Sequence, residues 1–222
     1  MRLILLGAPG SGKGTLGEMI ARTTGFPRIS TGDLLRKAVR EGTPVGRKAE
    51  AVMKAGGLVD DATVSELVRD RIGAPDCLGG YILDGYPRTI AQAEAIEAVD
   101  AARPELVIDF LVGEASIVER LSGRRVCPSC GTVFHATRKP PQVGGVCDVC
   151  GSDLVQRADD ASATVRERLR VYHEATVPLQ VRYRAKSTYR PVDGEGYAED
   201  VYPRVAAVLE EARRAADKGR SA

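Results

Sequence analysis

The feature that most limits the possible folds is a glycine-rich loop near the start of the chain. Residues 7–15 read Gly-Ala-Pro-Gly-Ser-Gly-Lys-Gly-Thr and match the pattern G-x-x-x-x-G-K. A short apolar run at residues 2–6 precedes the loop, and a helical pattern with Leu16, Met19 and Ile20 on one face follows it. Strand, loop and helix in this order predict a phosphate-binding loop, whose backbone N–H groups turn toward phosphate oxygens. A glycine-rich turn without a ligand is the alternative, and the combined spacing, lysine and context disfavour it.

The residues that follow the lysine narrow the class of phosphate loop. Lys13 is expected to reach the β- and γ-phosphates of a nucleotide. GTPases and most motor ATPases have Ser or Thr directly after this lysine as a Mg²⁺ ligand, whereas here Gly14 comes first and the hydroxyl of Thr15 follows. A glycine at this position resembles the nucleoside monophosphate kinases. We therefore predict that the donor nucleotide contacts Gly10, Ser11, Gly12, Lys13, Gly14 and Thr15.

Short apolar segments alternate with helical patterns along the rest of the chain. Further strands are predicted at residues 81–83, 106–112 and 189–192, and a long helix at 161–176 is predicted to end before Pro178. This alternation predicts an α/β fold with a parallel sheet covered by helices on both faces. Two segments interrupt this alternation of strands and helices. We predict a core domain of residues 1–29, 60–123 and 161–222, with inserted subdomains at 30–59 and 124–160.

Two polar segments after predicted strands carry a second set of motifs. Ser30-Thr31-Gly32-Asp33 is followed by Arg36, and Asp84-Gly85-Tyr86-Pro87-Arg88 is followed by Gln92. In these segments the chain resembles the adenylate kinase family, which carries S-T-G-D-x-x-R, D-G-[FY]-P-R and a nearby glutamine in this order. The resemblance extends from Met1 to about Leu209. It implies the P-loop nucleoside monophosphate kinase fold, an AMP-binding subdomain at residues 30–59 and a lid at residues 124–160.

The resemblance also assigns roles around the acceptor nucleotide. It implies that Thr31 and Gln92 meet the adenine of AMP and that Arg36 and Arg88 hold its phosphate. The full set implied for AMP is Thr31, Arg36, Gly57, Leu58, Val59, Gly85, Tyr86, Pro87, Arg88, Gln92, Arg157 and Arg168. The chemistry agrees, because a phosphate dianion in a water-poor cleft is bound well by guanidinium forks.

Asp84 is expected to orient a water on Mg²⁺, because it ends a strand at the carboxyl edge where ligands of α/β sheets collect. Taken singly, several of these residues have plainer interpretations. Thr31 would be a helix N-cap, Arg36 a surface charge and Asp84 a turn cap.

Four of the five cysteines form two close pairs. Cys127 and Cys130, then Cys147 and Cys150, give C-x₂-C, sixteen residues and C-x₂-C. This spacing predicts a structural zinc site with four thiolate ligands and no open position, so that His135 is not needed as a ligand. Two disulfides or free thiols are the alternatives. Cys77 has no partner in the sequence and is interpreted as a buried small apolar residue.

Arginines flank the cysteine-rich segment on both sides. In long-lid adenylate kinases this segment covers ATP, and the resemblance implies that its arginines reach the phosphates. Arg120 with Val133 and Phe134 would face the adenine of ATP. Gly196 would offer its backbone carbonyl to the same base, although many relatives have lysine there. Together with the loop lysine, the predicted catalytic residues are Lys13, Arg88, Arg124, Arg157 and Arg168.

Composition excludes other classes of function. Basic and acidic side chains number 32 and 30, so the net charge of +2 gives no general attraction to nucleic acids or membrane surfaces. Aromatic residues make up 5% and tryptophan is absent, which disfavours a zinc-ribbon nucleic-acid-binding ATPase. No apolar run approaches the ~20 residues of a membrane span, nor does the start of the chain resemble a signal peptide.

We therefore expect a cytoplasmic monomer that uses ATP, AMP and ADP, with Mg²⁺ and a structural Zn²⁺ as cofactors. It is expected to bind neither nucleic acid nor membranes. Another nucleoside monophosphate kinase or a GTP:AMP phosphotransferase remains an alternative. The long insert argues against uridylate-type kinases, which tend to have short lids.

Overall fold

A computed structural model describes residues 1–220; Ser221 and Ala222, which belong to the predicted core domain, lie outside the described residues. Its centre is a parallel sheet formed by β1 (Arg2–Gly7), β2 (Arg28–Ser30), β3 (Tyr81–Asp84), β4 (Glu105–Leu111) and β7 (Tyr189–Asp193). The strand order is β2-β3-β1-β4-β7, and Leu3 of β1 pairs with Ile82 on one side and Leu106 on the other. The predicted parallel α/β sheet is confirmed.

Helices cover both faces of the sheet. Successive side chains of a strand point to opposite faces, and those of β1 are buried on both. Leu3 and Leu5 pack in one core layer, which contains residues of α1 (Lys13–Thr24) and α9 (Ala198–Arg220). Ile4 and Leu6 pack in the opposite layer. That layer contains residues of α4 (Asp61–Ile72), α5 (Ile90–Val99) and α8 (Val177–Arg184).

The remaining helices lie along the carboxyl edge of the sheet. After β2 the chain forms α2 (Thr31–Arg40) and α3 (Pro44–Lys54), which pack on each other. After β4 it forms α6 (Glu114–Ser122), and α7 (Ser162–Val171) packs on α6. A small core of α6 and α7 side chains lies behind the glycine loop and includes Ala8 of that loop. These helices therefore surround the carboxyl ends of the strands, where α/β sheets bind ligands.

Residues 124–160 contain a separate antiparallel pair, β5 (Arg124–Val126) and β6 (Val133–His135). Isolated bridges join Val126 to Val155 and Val146 to Asp153. The buried interior of this segment is small, with Phe134, Cys127 and Cys147 and a partly buried Leu154 packed on them. So few apolar side chains give little hydrophobic stabilisation on their own.

The structure differs from the sequence prediction at two elements. Strand β2 was not predicted; it has three residues and forms the edge of the sheet beside β3. The helix expected to end before Pro178 instead continues through a π-helical turn at Tyr172–Thr176 into α8. Proline has no N–H to donate, and Pro178 directly follows the π-helical turn, where the N–H of Val177 donates to the carbonyl of Tyr172 and the α-helical hydrogen-bond pattern is already interrupted.

Among residues 1–220, none of the helices combines the length and the apolar character that a membrane crossing requires.

Candidate active site

The glycine loop joins β1 to α1 at the carboxyl edge of the sheet. Gly10 and Gly12 both have positive φ, +87° and +95°, which favours glycine. A Cβ at Gly10 would also lie 2.9 Å from Cγ of Leu121. Gly12 immediately precedes α1 and has no side chain to cap it, so the N–H groups of the first turn face outward toward an anion.

Lys13 folds back over its own loop. Its Nζ donates to the carbonyls of Gly7 and Ala8 at 2.6 and 2.8 Å, and to Oγ of Ser11 at 3.3 Å. The pKa of Lys13 is lowered to about 8, first by burial; Asp84 opposes this shift, and the nearby cations Arg88 and Arg168 add to it. The ammonium group is therefore buried where water does not stabilise its charge.

Arginines from four different parts of the chain converge on the same space. Burial, with repulsion from Arg168 and Arg36, lowers the pKa of Arg88 to about 10. Burial, with repulsion from Arg36 and Arg124, lowers the pKa of Arg157 to about 10, and its Nε is buried without a hydrogen-bond partner. Arginine stays protonated in proteins, so these lowered pKa values express the cost of burying the charges, together with repulsion among them, rather than proton loss. A polyanion placed among these cations would relieve that repulsion.

Carboxylates neutralise part of this charge. Asp160 is fully buried and accepts hydrogen bonds from Arg124, at 2.7 Å to Nε, and from Arg168, at 3.0 Å. Asp159 pairs with Arg168 at 3.0 Å. These pairs hold the guanidinium groups beside the cleft in a fixed orientation.

The two polar segments predicted to bind the acceptor nucleotide, at residues 30–36 and 84–92, meet at the end of β3. Thr31 is 3% exposed and donates to the carbonyl of Gly85 at 2.8 Å. Gln92 is 2% exposed, accepts from the backbone N–H of Arg88 at 2.8 Å and donates to Asp61 at 2.8 Å. Arg88 Nε donates to the same Gly85 carbonyl at 2.9 Å, so one carbonyl orients both the threonine and the arginine.

The plain interpretation of Thr31 as an N-cap is wrong, because Ser30 caps α2 by accepting from the N–H of Asp33.

The opposite end of the cleft is formed by α6 and the loop before α9. Arg120 donates to the carbonyls of Gly194 and Gly196 at 2.9 and 3.2 Å. Arg138 was not predicted from the sequence. It donates two hydrogen bonds to the carboxylate of Glu119, at 2.8 and 3.1 Å, and its guanidinium carbon lies 5.6 Å from the ring centre of Tyr197.

One continuous cleft of about 410 Å³ connects these groups. Its lining includes all the predicted nucleotide-contacting residues and Asp84, with the exception of Tyr86. The ring of Tyr86 is 1% exposed in the core, and its hydroxyl bonds to Ser65 at 3.0 Å and to the carbonyl of Gln92 at 3.1 Å. Tyr86 therefore supports the acceptor segment from behind. Phe134 also lines the cleft, although its side chain is buried in the core of residues 124–160.

The four paired cysteines form a cluster that fits one metal ion. Their sulfur atoms all lie within 4.8 Å of one another. Cys127 and Cys150 are 3.3 Å apart and Cys130 and Cys147 are 3.6 Å apart, near the ~3.8 Å that tetrahedral Zn–S bonds of 2.3 Å require and well beyond a disulfide bond of ~2.05 Å. Cys77 is fully buried, as expected.

The two cysteine turns repeat the same local structure. The N–H of Gly131 donates to the carbonyl of Cys127, and that of Gly151 to the carbonyl of Cys147, with both glycines at positive φ. In each turn the residue after the glycine, Thr132 or Ser152, makes two contacts. Its backbone carbonyl accepts from the N–H of the first cysteine, and its hydroxyl lies within hydrogen-bond distance of the sulfur of the second cysteine. The repeated C-x-x-C-G-[TS] pattern is the signal in the sequence that indicates these turns.

Besides Arg138, three charged residues in or beside the cleft were not predicted from the sequence. Asp159 and Asp160 orient the arginines, and their adjacency in an arginine-rich segment is the only sequence signal. Arg28 bridges Asp84 and Asp33 inside the cleft, and it was missed because the short strand β2 was missed.

A phosphate loop at the carboxyl edge of a five-stranded parallel sheet, with arginines facing it across one cleft, defines a P-loop nucleoside monophosphate kinase. Comparison with known proteins agrees. A family model for adenylate kinase matches residues 5–188. An adenylate kinase of Moorella thermoacetica is 50% identical over 197 residues, covering 87% of this chain and 91% of that protein. One of Trichlorobacter lovleyi is 49% identical over 214 residues, covering 95% and 100%. The chain belongs to the adenylate kinase family.

The lowered pKa of Lys13 predicts proton uptake on nucleotide binding. In the free protein Lys13 loses its proton as the pH rises through about 8, well below the 10.5 of an ordinary lysine. Phosphate oxygens favour the charged form and would raise the pKa again. We expect ATP binding at pH 9 to take up about one proton, with weaker ATP affinity than at pH 7.

Calorimetric titrations in two buffers of different ionisation enthalpy measure this uptake. At pH 7 Lys13 is already largely charged, so the same titration is the control and should show little uptake. Equal proton uptake at both pH values would contradict the assignment of Lys13 to the phosphate site.

Proposed function

We propose that this protein transfers the terminal phosphoryl group of ATP to AMP, reversibly and with Mg²⁺, to give two ADP. The observation that carries the proposal is the single cleft that joins the phosphate loop to the Thr31 and Arg88 segments. The cleft holds more cations than carboxylates, and several of the cations are buried among one another. Two nucleotides whose phosphates meet in the middle of the cleft would supply the missing negative charge.

Each side of the cleft would hold one nucleotide. On the donor side, the loop N–H groups and Lys13 would bind the ATP phosphates, and Arg120, Val133, Phe134 and Gly196 would surround the adenine. On the acceptor side, Arg36 and Arg88 would bind the AMP phosphate. The adenine of AMP would lie against Gly57, Leu58 and Val59, near Thr31 and Gln92. The hydrogen bonds of Thr31 and Gln92 within the protein support a preformed acceptor site.

The arginines paired with acidic residues would stabilise the reacting phosphates. Arg124 and Arg168 share Asp160, and Arg157 has a free buried Nε that can donate to a phosphate oxygen. Groups held in place before the reaction need no reorganisation when charge develops. Loss of one such donor typically costs roughly 10²–10³ in rate. Phosphoryl transfer depends mainly on this positioning and charge stabilisation.

The inserted segments would act as moving subdomains. We assign residues 30–59 to an AMP-binding subdomain, residues 124–160 to a lid, and residues 1–29, 60–123 and 161–222 to the core. The separate two-stranded sheet and small interior of residues 124–160 support this division. Closure of the lid would exclude water, which prevents hydrolysis of ATP in the absence of AMP.

Metal ions would have two separate roles. Cys127, Cys130, Cys147 and Cys150 would hold Zn²⁺, which with four thiolates has no open position for catalysis. Asp84 would hold Mg²⁺ through water; its carboxylate lines the cleft and is 8% exposed. Mg²⁺ bound there supplies positive charge to the phosphate oxygens.

The protein would act as a monomer in the cytoplasm on adenine nucleotides, without nucleic-acid or membrane partners. The balanced charge and low aromatic content support this assignment.

The choice of acceptor tests the proposed reaction directly. With Mg²⁺ and ATP, we expect AMP to be phosphorylated far faster than UMP or CMP, because the acceptor pocket combines Thr31, Gln92 and the two phosphate arginines. A coupled assay of each nucleoside monophosphate, with ATP and then GTP as donor, measures both preferences. Faster turnover of UMP or CMP than of AMP would contradict the acceptor assignment.

Removing one arginine tests the charge argument. Arg88→Ala should lower kcat/KM by at least ~10²-fold, because the reacting phosphates lose a fixed guanidinium group. Arg213→Ala is the control, since Arg213 is exposed on α9, away from the residues that line the cleft. Equal small effects of both substitutions would place Arg88 outside the site.

The cysteine cluster predicts one tightly bound Zn²⁺ per chain that supports folding of the lid. Cys130→Ser should lower the melting temperature by several degrees, because a metal ligand is lost from a segment with little apolar core. Substantial activity should remain at low temperature. Cys77→Ser is the control for loss of a thiol and should leave the metal content unchanged.

Elemental analysis and thermal melting measure these effects. Absence of stoichiometric zinc would overturn the zinc assignment. A Cys130→Ser protein that melts normally but is inactive at low temperature would instead indicate a catalytic metal.

A further inference from the structure

Arg28 joins carboxylates from three elements at the floor of the cleft. Its Nη1 donates to Oδ2 of Asp84 at 2.5 Å, and its Nη2 donates to Oδ2 of Asp33 at 3.0 Å. Glu18 of α1 accepts a longer contact from Nη2 at 3.4 Å. Burial alone would lower the pKa of Arg28, but attraction to Asp84, Asp33 and Glu18 outweighs the burial and raises it. The guanidinium group is thus firmly charged and fixed by partners on both sides.

The packing of α1 holds the stem of Arg28 in one place. A Cβ at Gly17 would lie 2.9 Å from Cδ of Arg28 and 3.0 Å from a methyl group of Leu5, so the helix lies directly on this side chain. Gly14 lies above the ion pair, with its missing Cβ 3.6 Å from Nη1 of Arg28 and 3.7 Å from Oδ2 of Asp84. The backbone directly after the loop lysine therefore lies in close proximity to the Arg28–Asp84 pair.

The contacts of Arg28 extend to both phosphate sites. Asp33 also accepts from Arg36, at 2.6 Å, so Arg28 and Arg36 share one carboxylate. On the other side, Asp84 is the carboxylate that most strongly attracts Lys13. Charges of alternating sign thus cross the cleft from the donor site to the acceptor site, in the order Lys13, Asp84, Arg28, Asp33 and Arg36.

We propose that Arg28 is a positioning residue that couples the donor and acceptor sites by orienting Asp84 and Asp33 at once. This inference rests on the proposed function. A planar guanidinium holds two carboxylates in a fixed geometry, which a lysine ammonium does not. On the acceptor side, Arg28 neutralises part of the charge of Asp33 and so weakens the attraction of Asp33 for Arg36, which lets Arg36 bind the AMP phosphate more strongly. On the donor side, it places a positive charge against Asp84 and so weakens the attraction of that carboxylate for Mg²⁺.

The contacts of Arg28 on the acceptor side and on the donor side predict opposite effects in Arg28→Gln: AMP should bind more weakly, and the preference for MgATP should become stronger. Asp33 would then be neutralised by Arg36 alone, so KM for AMP should rise about tenfold. Asp84 would lose its ion pair with Arg28 and attract Mg²⁺ more strongly, so the preference for MgATP over metal-free ATP should increase about threefold or more. The preference is the ratio of the two dissociation constants, measured by equilibrium titration without AMP. A general loss of packing would not strengthen one property while weakening the other.

Two further variants separate charge, geometry and stability. Arg28→Lys keeps the charge and loses the fork, so its MgATP preference should stay within about twofold of the wild type while KM for AMP remains raised. It also tests the proposal if Arg28→Gln does not fold. The matched control is Arg182→Gln, because Arg182 also spans two carboxylates, Glu94 and Glu97, at 3.1 and 2.9 Å but does not line the cleft. It should change neither quantity.

The outcomes distinguish this inference from the proposed function. A wild-type protein that fails to convert ATP and AMP to ADP would overturn the proposed function. A wild-type protein that is active, with Arg28→Gln unchanged in both quantities or shifted equally in its affinities for ATP, MgATP and AMP, would overturn the role of Arg28. The proposal stands if KM for AMP and the MgATP preference both increase and Arg28→Lys restores only the second.

Discussion

The structure depends on an excess of buried positive charge at the carboxyl edge of the parallel sheet. Lys13, Arg88 and Arg157 have pKa values lowered first by burial and then by nearby arginines such as Arg36 and Arg168, which means that their charges are unfavourable in the free protein. Acidic residues offset part of this cost, because Asp84 pairs with Arg28 and Asp160 pairs with Arg124 beside the same cations. Buried cations of this kind lower the free energy of unfolding of the protein and raise its affinity for polyanions.

The acidic residues in the cleft give that charge its geometry. Asp160 holds Arg124 and Arg168 together, and Asp33 is shared by Arg28 and Arg36. Each guanidinium group has five N–H donors, so a phosphate that enters the cleft can share it with a carboxylate. Because the carboxylates already orient the arginines, phosphate binding would cost little side-chain entropy.

Sequence motifs predicted the fold and most of the cleft because their constraints are local. The glycine loop requires a positive φ at Gly10, and the alternation of apolar strands with helices defines a parallel sheet whatever the details of packing. Strand β2 was missed because three residues carry no periodicity, and Arg28 was missed with it. Tyr86 was assigned to the cleft because it lies between true lining residues, whereas its ring points into the core. The role of Asp160 depends on contacts across 36 residues that no local pattern shows.

The most direct test of the central claim is a crystal structure with Mg²⁺, AMP and a non-hydrolysable ATP analogue. We expect the phosphates of both nucleotides to lie in the one cleft. The AMP phosphate should contact Arg36 and Arg88, and Arg124 and Arg168 should donate to the γ-phosphate group while they keep their pairs with Asp160. Nucleotide phosphates bound outside the cleft, or bound in it without contact to these arginines, would contradict this expectation.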